Sequence, residues 1–375
     1  MIYFDNAATT YPKPPKTVKI IKDCIIHAGG NPGRSSHLLS MRAADIIYSC
    51  REKICILLGY DKPENVIFTP NATYALNLAI KTKVREGSHI LISDMEHNSV
   101  LRPVRCLSRD KNITYDVFPT DGDIEKNICE KITEKTDILV CNHVSNVCGR
   151  KQDLKKIGEL CKRKGIYFIA DLSQSIGHFP INFNDICADA VCAPGHKGLF
   201  GIQGSGFVLL RNSDGLREFI EGGSGSNSKD TLMPMQLPDR YEAGTLFTPA
   251  IAALSYGIDY INKIGYSEIE ERENRILKRI YDILSDTLDC DIYAPKDLTG
   301  SVLSFNIKGF DQNDVASYLC EKNVYCRGGY HCSPLAHKAI GTFDTGAVRL
   351  SISLFNKMSE AEKLFQIIKE SPFSK

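Results

Sequence analysis

Ile166-Tyr167-Phe168-Ile169-Ala170-Asp171-Leu172-Ser173-Gln174 and, after a short connection, Ala190-Val191-Cys192-Ala193-Pro194-Gly195-His196-Lys197-Gly198 decide how the chain is read. Each begins as a short apolar run and ends in polar residues, the pattern of a strand buried on both faces that stops at a turn. Working outward, similar runs recur at residues 66–69, 89–93, 114–118, 137–142 and 206–210. Between them, stretches such as 73–83 and 153–164 carry apolar residues at three- to four-residue spacing, which is helical. The alternation predicts an α/β fold: a large, mostly parallel sheet covered by helices on both faces.

Beyond the sheet, residues 222–239 are rich in glycine and serine with two prolines and read as a long loop. An amphipathic helix is expected over 269–288, strands at 302–307 and 347–353, and helices at 313–321 and 359–369. These elements predict a smaller α+β domain. The length of 375 residues suits two domains, placed at 12–250 for the large one and at 1–11 with 251–375 for the small one. Lys and Arg total 46 against 45 Asp and Glu, without blocks of like charge, so nucleic acid and anionic membranes are not expected partners. No apolar run approaches the roughly 20 residues of a membrane span, and the opening residues lack a signal-peptide pattern, so a cytoplasmic protein is expected. The 14 cysteines then stay reduced, and the lack of any Cys-x-x-Cys pair argues against a metal site.

Ligands of such sheets sit beyond the carboxyl ends of the strands, where the candidate residues fall. A lysine at position 197 that can form a Schiff base, and an aspartate at 171 that can hold a protonated ring nitrogen, are the two handles on pyridoxal 5'-phosphate. A surface lysine and a helix-capping aspartate are the plainer readings. Asn71-Ala72-Thr73 opens a helix after the 66–69 strand and offers N–H groups to a phosphate, or merely caps the helix. His97 follows the 89–93 strand and could stack on a ring or carry protons. Asn146 follows the 137–142 strand and could bond a phenolic oxygen, although turn chemistry also explains it. Cys332, in Arg327-Gly328-Gly329-Tyr330-His331-Cys332-Ser333-Pro334, has the most reactive setting of the cysteines, with an inert thiol as the alternative. Arg349 sits inside an apolar run and must meet a carboxylate, either a ligand's or a structural partner's.

In this order the motifs resemble the class V aminotransferase group, and within it the cysteine desulfurases. The resemblance runs from Tyr3-Phe4-Asp5-Asn6-Ala7-Ala8-Thr9-Thr10 through Met95-Glu96-His97-Asn98, His143-Val144-Ser145-Asn146, Asp171-Leu172-Ser173-Gln174 and Gly195-His196-Lys197-Gly198 to Tyr241-Glu242-Ala243-Gly244-Thr245 and residues 327–349. It implies a fold-type I homodimer that binds pyridoxal 5'-phosphate at the subunit interface. By the same resemblance Lys197 holds the cofactor aldehyde, Asp171 its ring nitrogen and His97 its ring face, with Gln174 and Asn146 near its phenolic oxygen. Ala72, Thr73 and His196 would meet the phosphate, and Gly244 and Thr245 would reach it from the other subunit. Arg349 would clamp the substrate carboxylate, with His37 at the edge of the pocket. Cys332 would take sulfur from L-cysteine as a persulfide, leaving L-alanine, in sulfur metabolism such as iron–sulfur cluster assembly. Pro194 departs from relatives with a hydroxyl residue there, which implies a missing phosphate hydrogen bond. Sixteen residues between Cys332 and Arg349 resemble the branch with a short cysteine loop, which implies delivery to a docking sulfur-acceptor protein or a small thiol. A selenocysteine lyase acting on L-selenocysteine, an aminotransferase or lyase in which Cys332 is incidental, and an idle scaffold are the competing readings.

Overall fold

The structure is a computed structural model, and it describes residues 1–374 apart from 34, 35, 111, 227, 296 and 299. The strands are β1 (Ile2–Tyr3), β2 (Val66–Thr69), β3 (His89–Ser93), β4 (Thr114–Phe118), β5 (Thr136–Asn142), β6 (Tyr167–Asp171), β7 (Ala190–Pro194), β8 (Gly206–Leu210), β9 (Cys290–Tyr293), β10 (Val302–Ile307), β11 (Val324–Tyr325), β12 (Arg327–Gly329) and β13 (Ala347–Ser351). The helices are α1 (Thr17–His27), α2 (Leu38–Leu58), α3 (Ala72–Lys83), α4 (Asn98–Asp110), α5 (Ile124–Cys129), α6 (Leu154–Lys164), α7 (Thr248–Ile264), α8 (Tyr266–Thr287), α9 (Gln312–Glu321), α10 (Pro334–Ala339) and α11 (Met358–Lys369).

Seven strands form the large sheet in the order β2-β8-β7-β6-β5-β3-β4, with β8 antiparallel to both neighbours and the other pairings parallel. The expected mostly parallel α/β sheet is therefore present. Its strands alternate between two cores. Leu139, Cys141, Phe168 and Ala170 face the layer that contains α2, α6 and α7, whereas Ile138, Val140 and Ile169 face α3 and α4. Burying each large aliphatic or aromatic side chain contributes about 1.5–3 kcal/mol, which is why these strands read as unbroken apolar runs. Asn71 starts α3 by accepting a hydrogen bond from the Tyr74 N–H at 2.9 Å, and Asp153 does the same for α6 through the Lys156 N–H.

A second, antiparallel sheet has the order β12-β13-β10-β9, and β1 pairs in parallel with β11. It packs on α8, α9 and α11 around Ile276, Ile280, Phe305, Leu350 and Leu364, giving the expected α+β unit. The division was expected after residue 250. Ile251, Leu254, Ile258, Ile261, Ile269 and Leu354 pack into the large core, whereas Ile276, Ile280 and Leu284 pack into the second. Residues 222–239, expected as a loop, contain no helix or strand among the described residues. Among the described residues no helix is long and apolar enough to cross a membrane.

Candidate active site

The carboxyl ends of β3, β5, β6 and β7 and the start of α3 surround a cavity of about 200 Å3. Ala72 and Thr73, His97, Asn146, Asp171 and Gln174, and His196 with Lys197 all line it, joined by Ser99, Ser173 and Pro194. Eight residues singled out in the sequence thus meet in one place.

Lys197 and Asp171 both line this cavity. Burial pulls the Lys197 amine down to about 8, with Asp171 opposing and the Arg349 and Arg327 charges assisting. Burial pushes Asp171 upward, opposed by hydrogen bonds from the Ser173 hydroxyl and N–H, the latter at 2.9 Å to Oδ1, and by Lys197. The lysine turn is pressed against the connection after β6. A Cβ on Gly198 would lie 2.3 Å from the Ile176 carbonyl oxygen, so glycine is required there.

His97 is fixed by Ser99, whose N–H donates to Nδ1 at 3.0 Å. Nδ1 is therefore bare and the neutral ring carries its hydrogen on Nε2. Burial, with Lys197 and Arg327 next, holds His97 down at about 4. Thr73 Oγ1 lies 2.7 Å from Ser99 Oγ, so the hydroxyl at the start of α3 and the imidazole share one bridge. His196 sits 3.1 Å from Thr9 Oγ1 through Nδ1, and burial lowers it to about 4.

The sequence motif at residues 3–10 finds its physical role here. Thr9 and Thr10 donate to the carbonyls of His196 and Lys197 at 3.2 and 2.9 Å, and Lys13 Nζ donates to the His196 carbonyl at 2.7 Å. Gln174 Nε2 donates to the Ala7 carbonyl at 3.0 Å. Thr9, Thr10, Lys13, Ser99 and Ser173 were not assigned a role from sequence; Thr9, Thr10 and Ser173 lay within the quoted motifs, whereas Lys13 and Ser99 lay just outside them.

Cys332 is half-buried, and its carbonyl accepts from the Asn98 N–H at 2.7 Å, which ties its loop to the His97 turn. Arg327 Nη2 lies 3.9 Å from Cys332 Sγ. Arg349 is 2 % exposed and already occupied, with Nη2 at 2.7 Å from Asp5 Oδ1 and Nη1 donating to the Asn146 carbonyl at 3.0 Å. Its Nε has no partner. The carboxylate that its setting demanded is thus supplied by the chain itself, and Arg349 is not on the cavity wall.

Two further expectations lie elsewhere. His37 is exposed and caps α2 through Nδ1, away from the cavity wall. Gly244 and Thr245 border a separate cavity beside Arg51 and Glu242, a buried ion pair at 2.6 Å. Of the remaining cysteines near the site, Cys148 is buried, and burial pushes the Cys326 thiol up to about 12, which suits a structural role.

The profile described as aminotransferase class-V matches residues 2–364 of this chain. The chain belongs to the class V aminotransferase family. Within this family it is similar to a probable cysteine desulfurase of Methanothermobacter thermautotrophicus, 31 % identical over 98 % of this chain and 94 % of the relative. A probable cysteine desulfurase of Pyrococcus abyssi is 30 % identical over 99 % of this chain and 94 % of its own. Among solved structures, the apo cysteine desulfurase of Thermococcus onnurineus NA1 superposes with a TM-score of 0.91 at 29 % identity, covering 98 % of this chain and 94 % of that one. The fold is accordingly the fold-type I architecture of these class V enzymes.

Proposed function

We propose that the protein is a pyridoxal 5'-phosphate-dependent cysteine desulfurase that takes sulfur from L-cysteine, releases L-alanine and holds the sulfur as a persulfide on Cys332. The observation that carries this reading is the convergence of Lys197, Asp171 and His97 on one cavity, with the Cys332 loop hydrogen-bonded to the turn beside His97. The residues present fit the cofactor. A helix start with free N–H groups can meet the phosphate, an unpaired lysine the aldehyde, and a carboxylate on the same wall the ring nitrogen. Bound there, the cofactor would supply an electron sink for the substrate Cα.

Ala72, Thr73 and His196 would hold the phosphate, Gln174 and Asn146 would lie near the phenolic oxygen, and Asp171 would keep the ring nitrogen protonated. Lys197 Nζ, drawn down to about 8, exists partly as the free amine at neutral pH and would receive the substrate Cα proton. His97 would give and regain a proton at Nε2. The Cys332 thiolate would then attack the substrate sulfur; the new S–S bond forms as the carbon–sulfur bond breaks, and the electron pair left on carbon is protonated to give alanine. Arg349 would reach the substrate carboxylate by sharing its guanidinium with Asp5.

Gly244 and Thr245 lie outside this cavity, and α1 and α2 expose Val18, Ile25, Leu38, Met41 and Tyr48. Both facts support a homodimer in which Gly244 and Thr245 serve the partner's phosphate, with His37 near the same junction. The cysteines other than Cys290 are free thiols, which suits a reducing cytoplasm. The acceptor of the sulfur would be a docking protein or a small thiol. Mass spectrometry after incubation with L-cysteine tests the reading: one added sulfur on Cys332 supports it. Turnover of L-cysteine without any sulfur on Cys332, or turnover of L-selenocysteine alone, would reject it.

A further inference from the structure

The loop that presents Cys332 is held from below by a chain of hydrogen bonds that the proposed chemistry leaves unused. His331 and Cys332 both adopt left-handed backbone, with φ of +50° and +58°. Two such residues in succession persist only where their surroundings over-determine them. On one side the fixing groups are clear. Asn146 Nδ2 donates to the His331 carbonyl at 2.8 Å, Ser333 Oγ donates to Asn146 Oδ1 at 2.8 Å, and the Asn98 N–H donates to the Cys332 carbonyl at 2.7 Å.

On the other side, His331 Nε2 lies 3.1 Å from the Arg327 carbonyl, His331 Nδ1 lies 3.2 Å from His337 Nε2, and His337 Nδ1 lies 2.7 Å from Thr342 Oγ1. Both rings are buried, at 2 % and 0 % exposure. Burial, with the nearby Arg349 charge, keeps His331 down at about 3 and His337 at about 4, so both are neutral at physiological pH. The Arg327 carbonyl can only accept, which puts the single hydrogen of His331 on Nε2 and leaves its Nδ1 bare. His337 must then donate from Nε2 and accept the Thr342 hydroxyl proton at Nδ1. The Arg327 carbonyl thus sets the proton of His331, and the Tyr330 carbonyl is a further acceptor for the hydrogen of His337.

The geometry points to His337 as a positioning residue for sulfur transfer: acting through His331, it locks the left-handed turn that holds Cys332 against the turn after His97. This inference rests on Cys332 being the sulfur-accepting thiol. His337 does not line the cavity. Its partner Thr342 follows α10, so the short helix after Cys332 serves as the abutment of the loop.

Two variants of the full-length protein separate this role from plain stability. His337→Phe keeps the ring volume and removes both nitrogens, while His337→Gln keeps an amide N–H near the Nε2 position. The expected result is a fall of about tenfold or more in the rate of Cys332 persulfide formation for the Phe variant, with KM for L-cysteine within about twofold and substantial recovery in the Gln variant. Wild-type rates in His337→Phe, or equal losses in both variants, would overturn the inference. Should His337→Phe not fold, ring-15N NMR of the wild-type protein decides: Nε2–H tautomers at both His331 and His337 support the chain, and an Nδ1–H His331 or a charged ring at pH 7 overturns it. Absence of any persulfide in the wild-type protein would count against the proposed function, and the tautomers would still settle whether the strut exists.

Discussion

Replacing Glu96 with glutamine removes from the core a carboxyl group that ionises far from its ordinary range. Glu96 is 0 % exposed; its Oε1 accepts the Asn142 N–H at 2.7 Å and the Ser93 hydroxyl at 2.5 Å, while Oε2 has no partner. Burial, followed by the charge of Asp171 and then that of Asp94, raises it from 4.5 to about 8, against the Ser93 and Asn142 hydrogen bonds. Cys141, the other ionisable group facing it, is itself pushed well above its ordinary value and stays a thiol. The folded protein therefore holds a proton on Glu96 that the unfolded chain has released, so stability is greatest below the ordinary value and declines as pH rises towards 8. At about 1.4 kcal/mol per pH unit, the span from 4.5 to about 8 corresponds to on the order of 5 kcal/mol. Glutamine cannot ionise and so carries no such proton difference between the folded and unfolded chains. Urea unfolding of both cofactor-free proteins at pH 5, 6, 7 and 8 isolates this group and its coupling to Asp171 and Asp94, because the titrations of uncoupled groups cancel in the difference. We expect Glu96→Gln to gain on wild type by about 1 kcal/mol per unit as pH rises. Parallel stability curves would refute the reasoning.

Cys332→Ala should keep the visible cofactor band and lose persulfide and sulfur transfer from L-cysteine, as read by mass spectrometry and sulfide release. Lys197→Ala should lose the covalent cofactor band itself, and a band surviving borohydride treatment and denaturation would contradict the assignment. Asp5→Asn leaves the guanidinium of Arg349 buried beside an uncharged partner, with an expected loss of about 3 kcal/mol in urea unfolding and a changed KM for L-cysteine.

The large sheet was legible in sequence because strands buried on both faces leave continuous apolar runs, and the site followed because its residues sit immediately after those runs. Helix α2 was not legible, since it exposes Leu38, Leu39, Met41, Tyr48 and Ile56 and so shows no single apolar stripe. Pro103 interrupts the pattern of α4, and β11 and β12 are too short for any period to register. The pairing of Asp5 with Arg349, 344 residues apart, and the His331 to His337 chain depend on tertiary approach, which local spacing does not encode.

Residues 2–13 emerge from the ribosome long before the groups they bind. The partner of Thr10 lies 187 residues downstream, that of Asp5 lies 344 residues downstream, and β1 must wait for Val324–Tyr325. Such long-range closures come late in folding. A polypeptide that stops short of residue 349 thus lacks the partner of Asp5, and the segment that fastens the Lys197 turn through Thr9, Thr10 and Lys13 is anchored at one end only.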